Sequence, residues 1–139
     1  MAMLMAEFAT CVKYKLPVKV IVVRNDSLGQ IKWEQLMFLG NPEYGCDLHP
    51  IDYAAFARAC GATGFTVNSP DRVGSLIDEA LATPGPVILE AQVDPLEAPM
   101  FANMREEQAK KLRQALQSGQ PDAEGILANA RKERARELV

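Results

Sequence analysis

No run of this sequence stays apolar for the roughly 18 residues that a membrane span requires. Cysteine is scarce and scattered. Cys11, Cys46 and Cys60 are odd in number, far apart and without a C-x-x-C pair. That pattern disfavours a disulfide framework or a zinc site and reads as thiols of a reducing, cytoplasmic compartment. A basic excess is missing too: 15 Lys and Arg stand against 18 Asp and Glu, for a net charge of -3 and a pI near 5.2. Such a balance argues against a nucleic-acid partner. Neither G-x-G-x-x-G nor G-x-x-x-x-G-K occurs, so the usual dinucleotide and nucleoside-triphosphate loops are unsupported. The opening "MAMLMAEF" has no basic region and carries Glu7, unlike a secretory leader.

What is present is an ordinary soluble composition, 48% hydrophobic and 24% charged, in 139 residues, enough for a sizeable core. Apolar residues at Leu4, Met5, Phe8, Cys11 and Val12 predict a helix over Met3 to Tyr14, stopped by Pro17. It begins without a capping residue, as a piece of a longer chain would. The β-branched run Val18 to Val23 predicts a parallel strand covered on both faces. A helix over Leu28 to Leu39 follows, ended by Gly40, then a polar loop from Gly40 to Pro50 that holds His49, the only histidine. A lone loop histidine reads first as a surface residue. Ile51 to Cys60 and Asp71 to Ala82 read as helices, Gly64 to Val67 and Pro84 to Val93 as strands.

This order predicts an α/β fold, a three-layer α/β/α sandwich with a parallel sheet and right-handed crossovers. Three strands are few, so an unpaired edge and a sheet incomplete at the N-terminal side are expected. After Pro95 comes an extended linker, then charged helices over Arg105 to Ser118 and Ala123 to Leu138. The boundary expected is between a domain of residues 1–99 and a helical tail of residues 100–139.

The junction "VIVVRNDSLGQIKWEQ" (Val20 to Gln35) is where a ligand would sit. In an open α/β sheet ligands bind beyond the carboxyl ends of the strands, and Asn25, Asp26 and Ser27 occupy such an end. Ser27 with Gln30 fits a capping box, which would start the helix at Ser27. The N–H groups of Leu28 and Gly29 would then point outward toward a phosphate, with Gly29 allowing close approach. The Asn25 amide oxygen and a neighbouring carbonyl are hard donors of the kind magnesium accepts. On residues 25 to 29 alone, an ordinary helix cap is an equally good account.

"LMAEFATCVKYKLPVKVIVVRNDSLGQIKWEQ", "LHPIDYAAFARACGATGFTV" and "PGPVILEAQVDPLEAP" together resemble the C-terminal, diphosphate-binding domain of thiamine-diphosphate-dependent enzymes over roughly residues 2 to 99. Within them the chain looks most similar to pyruvate oxidase and quinone-linked pyruvate dehydrogenase. The resemblance implies thiamine diphosphate and Mg2+ as cofactors, with FAD held elsewhere in the full-length family. It implies a magnesium ligand in the Asn25 side chain, another in the Ser27 carbonyl, and diphosphate contacts from Gly29 and the helix start. Ile31 and Glu34 match positions that face the reacting carbon of the cofactor, Glu34 orienting substrate or managing a proton. Gln30 stands where pyruvate oxidases often carry an aromatic residue, and Arg24 where the family has the first of two asparagines.

The activity implied is oxidative decarboxylation of pyruvate or a related 2-oxo acid. An acetolactate-synthase-like carboligase and a non-catalytic α/β interaction module are the alternatives. The family's Gly-Asp-Gly, its pyrimidine-binding domain and its FAD domain do not occur in these residues. The chain is therefore expected to work as part of a longer chain, in a homo-oligomer with a second subunit, and to be inactive alone. The apolar face of the last helix, Ile126, Leu127 and Ala130, is short, and a packing or lid role is favoured over membrane association.

Overall fold

Val87–Gln92 is the strand around which the first half of the molecule is built. The computed structural model describes residues 1–98 and 104–136, and their packing divides into two units. One comprises Met1–Asn25 with Pro50–Val93, the other Asp26–His49 with the described residues from Asp94 onward. The boundary expected between residues 99 and 100 lies outside the described residues, as does Leu138.

In the first unit β1 (Lys19–Arg24), β2 (Thr63–Val67) and β3 (Val87–Gln92) form one parallel sheet in the order β1-β3-β2. Lys19 and Thr63 both pair with Val87, and Val23 and Val67 both pair with Ala91. The expected parallel neighbours are thus in place, with the last strand in the centre. The sequence "VILEAQ" explains that position, since its first four residues are all buried. On one face Val87 and Leu89 pack with Val67 and with Leu76 and Ala80 of a helix, Val73–Ala82. On the other, Ile88 packs with Phe8 of α1 (Glu7–Lys13) and with Tyr53 and Ala57 of α3 (Tyr53–Ala59). Helices on both faces of a parallel sheet are the α/β/α arrangement expected. Each fully buried Val, Ile or Leu contributes on the order of 1.5–3 kcal/mol.

Two expectations about this unit need correction. β1 is covered on one face only: Val20 and Val22 join the α1–α3 side, while Ile21 and Val23 are 54% and 67% exposed. A β-branched run reads the same in a central strand and in an edge strand, and β1 is an edge. The first helix is also shorter than its apolar pattern. A 3-10 turn covers Ala2–Leu4, Leu4 is exposed, and α1 runs only from Glu7 to Lys13. It ends in a Schellman turn, with Lys15 at a φ of 52 degrees and the Leu16 N–H donating to the Cys11 carbonyl.

α3 begins at Asp52, whose carboxylate accepts from the Ala55 N–H at 2.6 Å. It lies so close on β2 that a Cβ added to Gly64 would stand 2.2 Å from the Ala54 carbonyl oxygen. A short 3-10 turn, Pro70–Arg72, leads into α4, the helix over Val73–Ala82 already named.

The second unit is helical. α2 (Gly29–Glu34) runs into a π-helical turn, Gln35–Leu39, and stops at Gly40 with a φ of 72 degrees. α5 (Glu106–Gln117) and α6 (Ala123–Arg136) follow. Trp33, Leu36 and Met37 form one core with Leu112 and Ala115 of α5 and Ile126 of α6. The tail helices therefore pack within this unit, Ile126 inward and Leu127 exposed. None of the described helices is long and apolar enough to cross a membrane.

Candidate functional site

Of the residues expected to form the site, Asn25 lies in the first unit and the others in the second. In the first, β1 ends at Arg24, whose carbonyl accepts from the Val93 N–H at 3.0 Å. The Arg24 guanidinium reaches the buried Glu90 carboxylate, Nη1 to Oε1 at 2.5 Å, and also donates to the Ile51 carbonyl at 3.3 Å. The other Glu90 oxygen accepts from the Tyr53 N–H at 2.7 Å and from the Ala54 N–H at 3.4 Å, at the start of α3. Asn25, half-buried, is the next residue beyond this anchored strand end.

In the second unit the chain turns sharply. Asp26 has a φ of 50 degrees, a left-handed conformation that Asn and Asp tolerate better than most residues. Its carbonyl accepts from the Leu48 N–H at 2.9 Å, and the Leu28 N–H donates to the Cys46 carbonyl at 2.8 Å. Between them Ser27 forms an antiparallel bridge with Asp47. These bonds overturn the capping-box expectation. The helix starts at Gly29, its N-cap is Leu28, and no side chain caps it. Gln30 instead bonds Glu34. Ser27 is drawn into a short pairing with a loop some way along the chain, so the backbone enters the helix later.

The Leu28 N–H is consequently not aimed at a ligand. The first intrahelical bond runs from the Lys32 N–H to the Leu28 carbonyl at 3.0 Å. Helix geometry leaves the N–H groups of Gly29, Gln30 and Ile31 without an intrahelical acceptor, and these are the donors a phosphate could use.

Gln30, Ile31 and Glu34 share the exposed face of α2, with Ile31 46% exposed. Lys32, Trp33, Leu36 and Met37 are buried on its other side. The structure therefore puts Gln30 on one surface with Ile31 and Glu34, the two residues expected to face the reacting carbon, and it joins Gln30 to Glu34. Gln30 Nε2 donates to Glu34 Oε1 at 3.0 Å.

The loop after α2 is tied back by side chains that the sequence reading did not single out. Gln35 clasps the Tyr44 backbone from both sides, accepting from its N–H at 2.7 Å and donating to its carbonyl at 3.1 Å. Lys32 pairs with Glu43 at 2.7 Å, both nearly buried, and Gln120 accepts from the Glu43 N–H at 2.7 Å. The Cys46 thiol donates to Gln35 at 3.7 Å, and Cys46 is buried. Further along the chain, Asp94 accepts from the Leu96 N–H and from Asn129, each at 2.8 Å. These hydrogen bonds, first that from Leu96, and the positive charges of Lys132 and Lys32 hold its carboxyl below the usual carboxylate value. His49 is exposed in its loop, as its sequence context suggests. A surface groove along α5, lined by Glu106, Lys110, Arg113 and Gln114, touches none of the expected site residues. Its walls are long solvated side chains.

A buried carboxylate inside "VILEAQ" was a legible signal for the Arg24–Glu90 pair, because a charge in an apolar strand needs a partner. The identity of that partner was not legible. The donors expected for magnesium fall one in each unit, Asn25 in the first and Ser27 in the second. Asn25 and the Ser27 carbonyl are neutral, and no three of His, Cys, Asp and Glu stand together among the described residues. Each of the two expected donors is a hard oxygen donor of the kind magnesium accepts.

A family model described as "Thiamine pyrophosphate enzyme, C-terminal TPP binding domain" matches residues 1–91; thiamine pyrophosphate and thiamine diphosphate are the same compound. The chain is 39% identical over 92 residues to YdaP of Bacillus subtilis, named as thiamine pyrophosphate-containing, a match covering 66% of this chain and 16% of that protein. It is 32% identical over 91 residues to the acetolactate synthase large subunit of Porphyra purpurea, covering 64% and 15%. With the mitochondrial acetolactate synthase catalytic subunit of Saccharomyces cerevisiae it shares 29% over 93 residues, covering 66% and 13%. The matched stretch is thus 13–16% of the length of these relatives.

Proposed function

The chain belongs to the family of C-terminal thiamine-pyrophosphate-binding domains of thiamine pyrophosphate enzymes, and from that premise we propose that it supplies the diphosphate and magnesium contacts of an enzyme that decarboxylates pyruvate or a related 2-oxo acid. The bound cofactor supplies a carbanion-stabilising centre for that bond cleavage. Asn25 and the Ser27 carbonyl donate to magnesium. Gly29 with the first N–H groups of α2 meets the diphosphate, and Asp26 sets the turn between them. Gln30, Ile31 and Glu34 face the substrate, with Glu34 orienting it or exchanging a proton. The observation that carries this reading is the shared exposure of those three side chains on α2.

The finer activity proposed is oxidative, of pyruvate oxidase type, with FAD in another part of the enzyme and a second subunit completing the site. The helix "QIKWEQ" with Glu34 supports it. Carboligation is a second reading, favoured by the acetolactate synthases among the relatives. One experiment separates them: pyruvate is supplied to the complete enzyme with thiamine diphosphate and magnesium, with and without an artificial electron acceptor. Carbon dioxide release that requires the acceptor supports the oxidase. Acetolactate formed without it supports the carboligase, and no consumption of any 2-oxo acid overturns both.

A further inference from the structure

Glu90 is 1% exposed in the central strand, and nothing in the proposed chemistry uses it. Its two oxygens are nonetheless divided between two elements. One takes the Arg24 guanidinium at the carboxyl end of β1, the other the first N–H groups of α3. We propose that Glu90 is a positioning residue for the metal-binding end of β1, acting through Arg24 to fix the placement of Asn25; this rests on the reading of Asn25 as a magnesium donor.

Glu90 pairs with Val22 in the β1–β3 register, and Arg24 lies two residues further on the same face. The guanidinium therefore folds back along the strand to reach the carboxylate, with the Ile51 carbonyl as a second acceptor. The Arg24 carbonyl is held as well, by the Val93 N–H. Main chain and side chain of the residue immediately before Asn25 are both pinned to neighbouring elements. A charge-assisted bond is the suitable tether, being shorter and stronger than a neutral one. Magnesium demands near-ideal octahedral geometry, so a small displacement of one donor is costly. Groups that orient metal ligands typically cost about 10–100-fold in metal affinity when altered.

In the complete enzyme, Glu90→Gln is expected to weaken magnesium binding about 10–100-fold. The measurement is a calorimetric magnesium titration at saturating thiamine diphosphate, at a temperature where circular dichroism shows the variant folded. Because this substitution also takes the carboxylate away from the guanidinium, the double variant Arg24→Met with Glu90→Gln is the decisive one. It removes the guanidinium, keeps an amide oxygen for the Tyr53 N–H, and lacks the tether. Its thermal midpoint is expected to return toward that of the unaltered enzyme while magnesium affinity stays low. Affinity that returns together with stability overturns the inference and leaves Glu90 a purely structural residue. Asn25→Ala serves as the control. If it leaves magnesium affinity unchanged, the reading of Asn25 falls. If it weakens binding while folded Glu90→Gln does not, the inference alone falls.

Discussion

Gln30 donates to the carboxylate of Glu34 across one turn of α2, at 3.0 Å and on a solvent-facing surface. An amide that hands a hydrogen bond to a carboxylate fixes its orientation, as suits a group proposed to meet substrate. In the complete enzyme, Glu34→Gln is therefore expected to lower kcat by roughly 10²–10⁴-fold. The offset of Glu34 from Ser27 along the helix is on the order of 10 Å, so cofactor affinity should be nearly unchanged. Steady-state kinetics at saturating cofactor, with a parallel binding titration, measures both. Unaltered kcat on every 2-oxo acid tried would make Glu34 an ordinary surface residue.

The isolated 139-residue chain is expected to bind thiamine diphosphate and magnesium only feebly. Its expected donors, the Asn25 amide and the Ser27 carbonyl, are neutral, whereas magnesium sites normally include a carboxylate besides the phosphates. Calorimetry giving a magnesium-dependent Kd of about 1 μM or tighter, near −8 kcal/mol, would contradict this.

Asp94 ties part of the acid stability to one named carboxylate. Its folded-state value lies below the ordinary one because the Leu96 N–H and Asn129 bond the charged form, aided by Lys132 and Lys32. A depressed carboxylate contributes stability above its unfolded value of about 3.9 and loses it as pH falls through the folded value. Asp94→Asn should thus lower the urea midpoint at neutral pH and flatten its decline below about pH 4. The side chain is exposed, so the effect should be modest, and curves of equal slope would refute it.

Two glycine-to-alanine changes should have opposite outcomes. At Gly64 the new Cβ would meet the Ala54 carbonyl at 2.2 Å, and backbone cannot step aside. The expected cost is about 3 kcal/mol, at the upper end for overpacking. At Gly125 the close atom is Leu96 Cδ1 at 2.5 Å, the far end of a flexible side chain. There the helix propensity of alanine, up to about 1 kcal/mol, should leave stability unchanged or raised. Thermal unfolding of both variants checks the pair.

The strands were legible because Val20 to Val23 and Val87 to Leu89 are short apolar runs rich in β-branched residues, each closely preceded by a proline. Gly40 was legible as a helix end for the same local reason: its left-handed φ is one that glycine alone adopts cheaply. Where local reading failed, distant partners were the cause. Ser27 fits a capping box until Asp47 pairs with it, and Ile21 and Val23 look buried until the strand order puts β1 at an edge. The π-helical turn at Gln35–Leu39 escaped because one inserted residue barely disturbs a helical apolar pattern. In the candidate site, residue types at the junction were readable, while the Glu90 and Gln35 tethers depend on contacts that no short window contains.

The central place of β3 also fixes an order of events when the chain is made. Both other strands emerge first, yet neither has a parallel neighbour until Val87 and the residues after it arrive. β2 is then close by in sequence, whereas β1 has waited through most of the first unit, so β2–β3 should pair before β1 docks. Until that moment the end of β1 that carries Asn25 has no Glu90 to anchor it. Competence to hold a metal is therefore expected to be among the last properties a nascent molecule acquires.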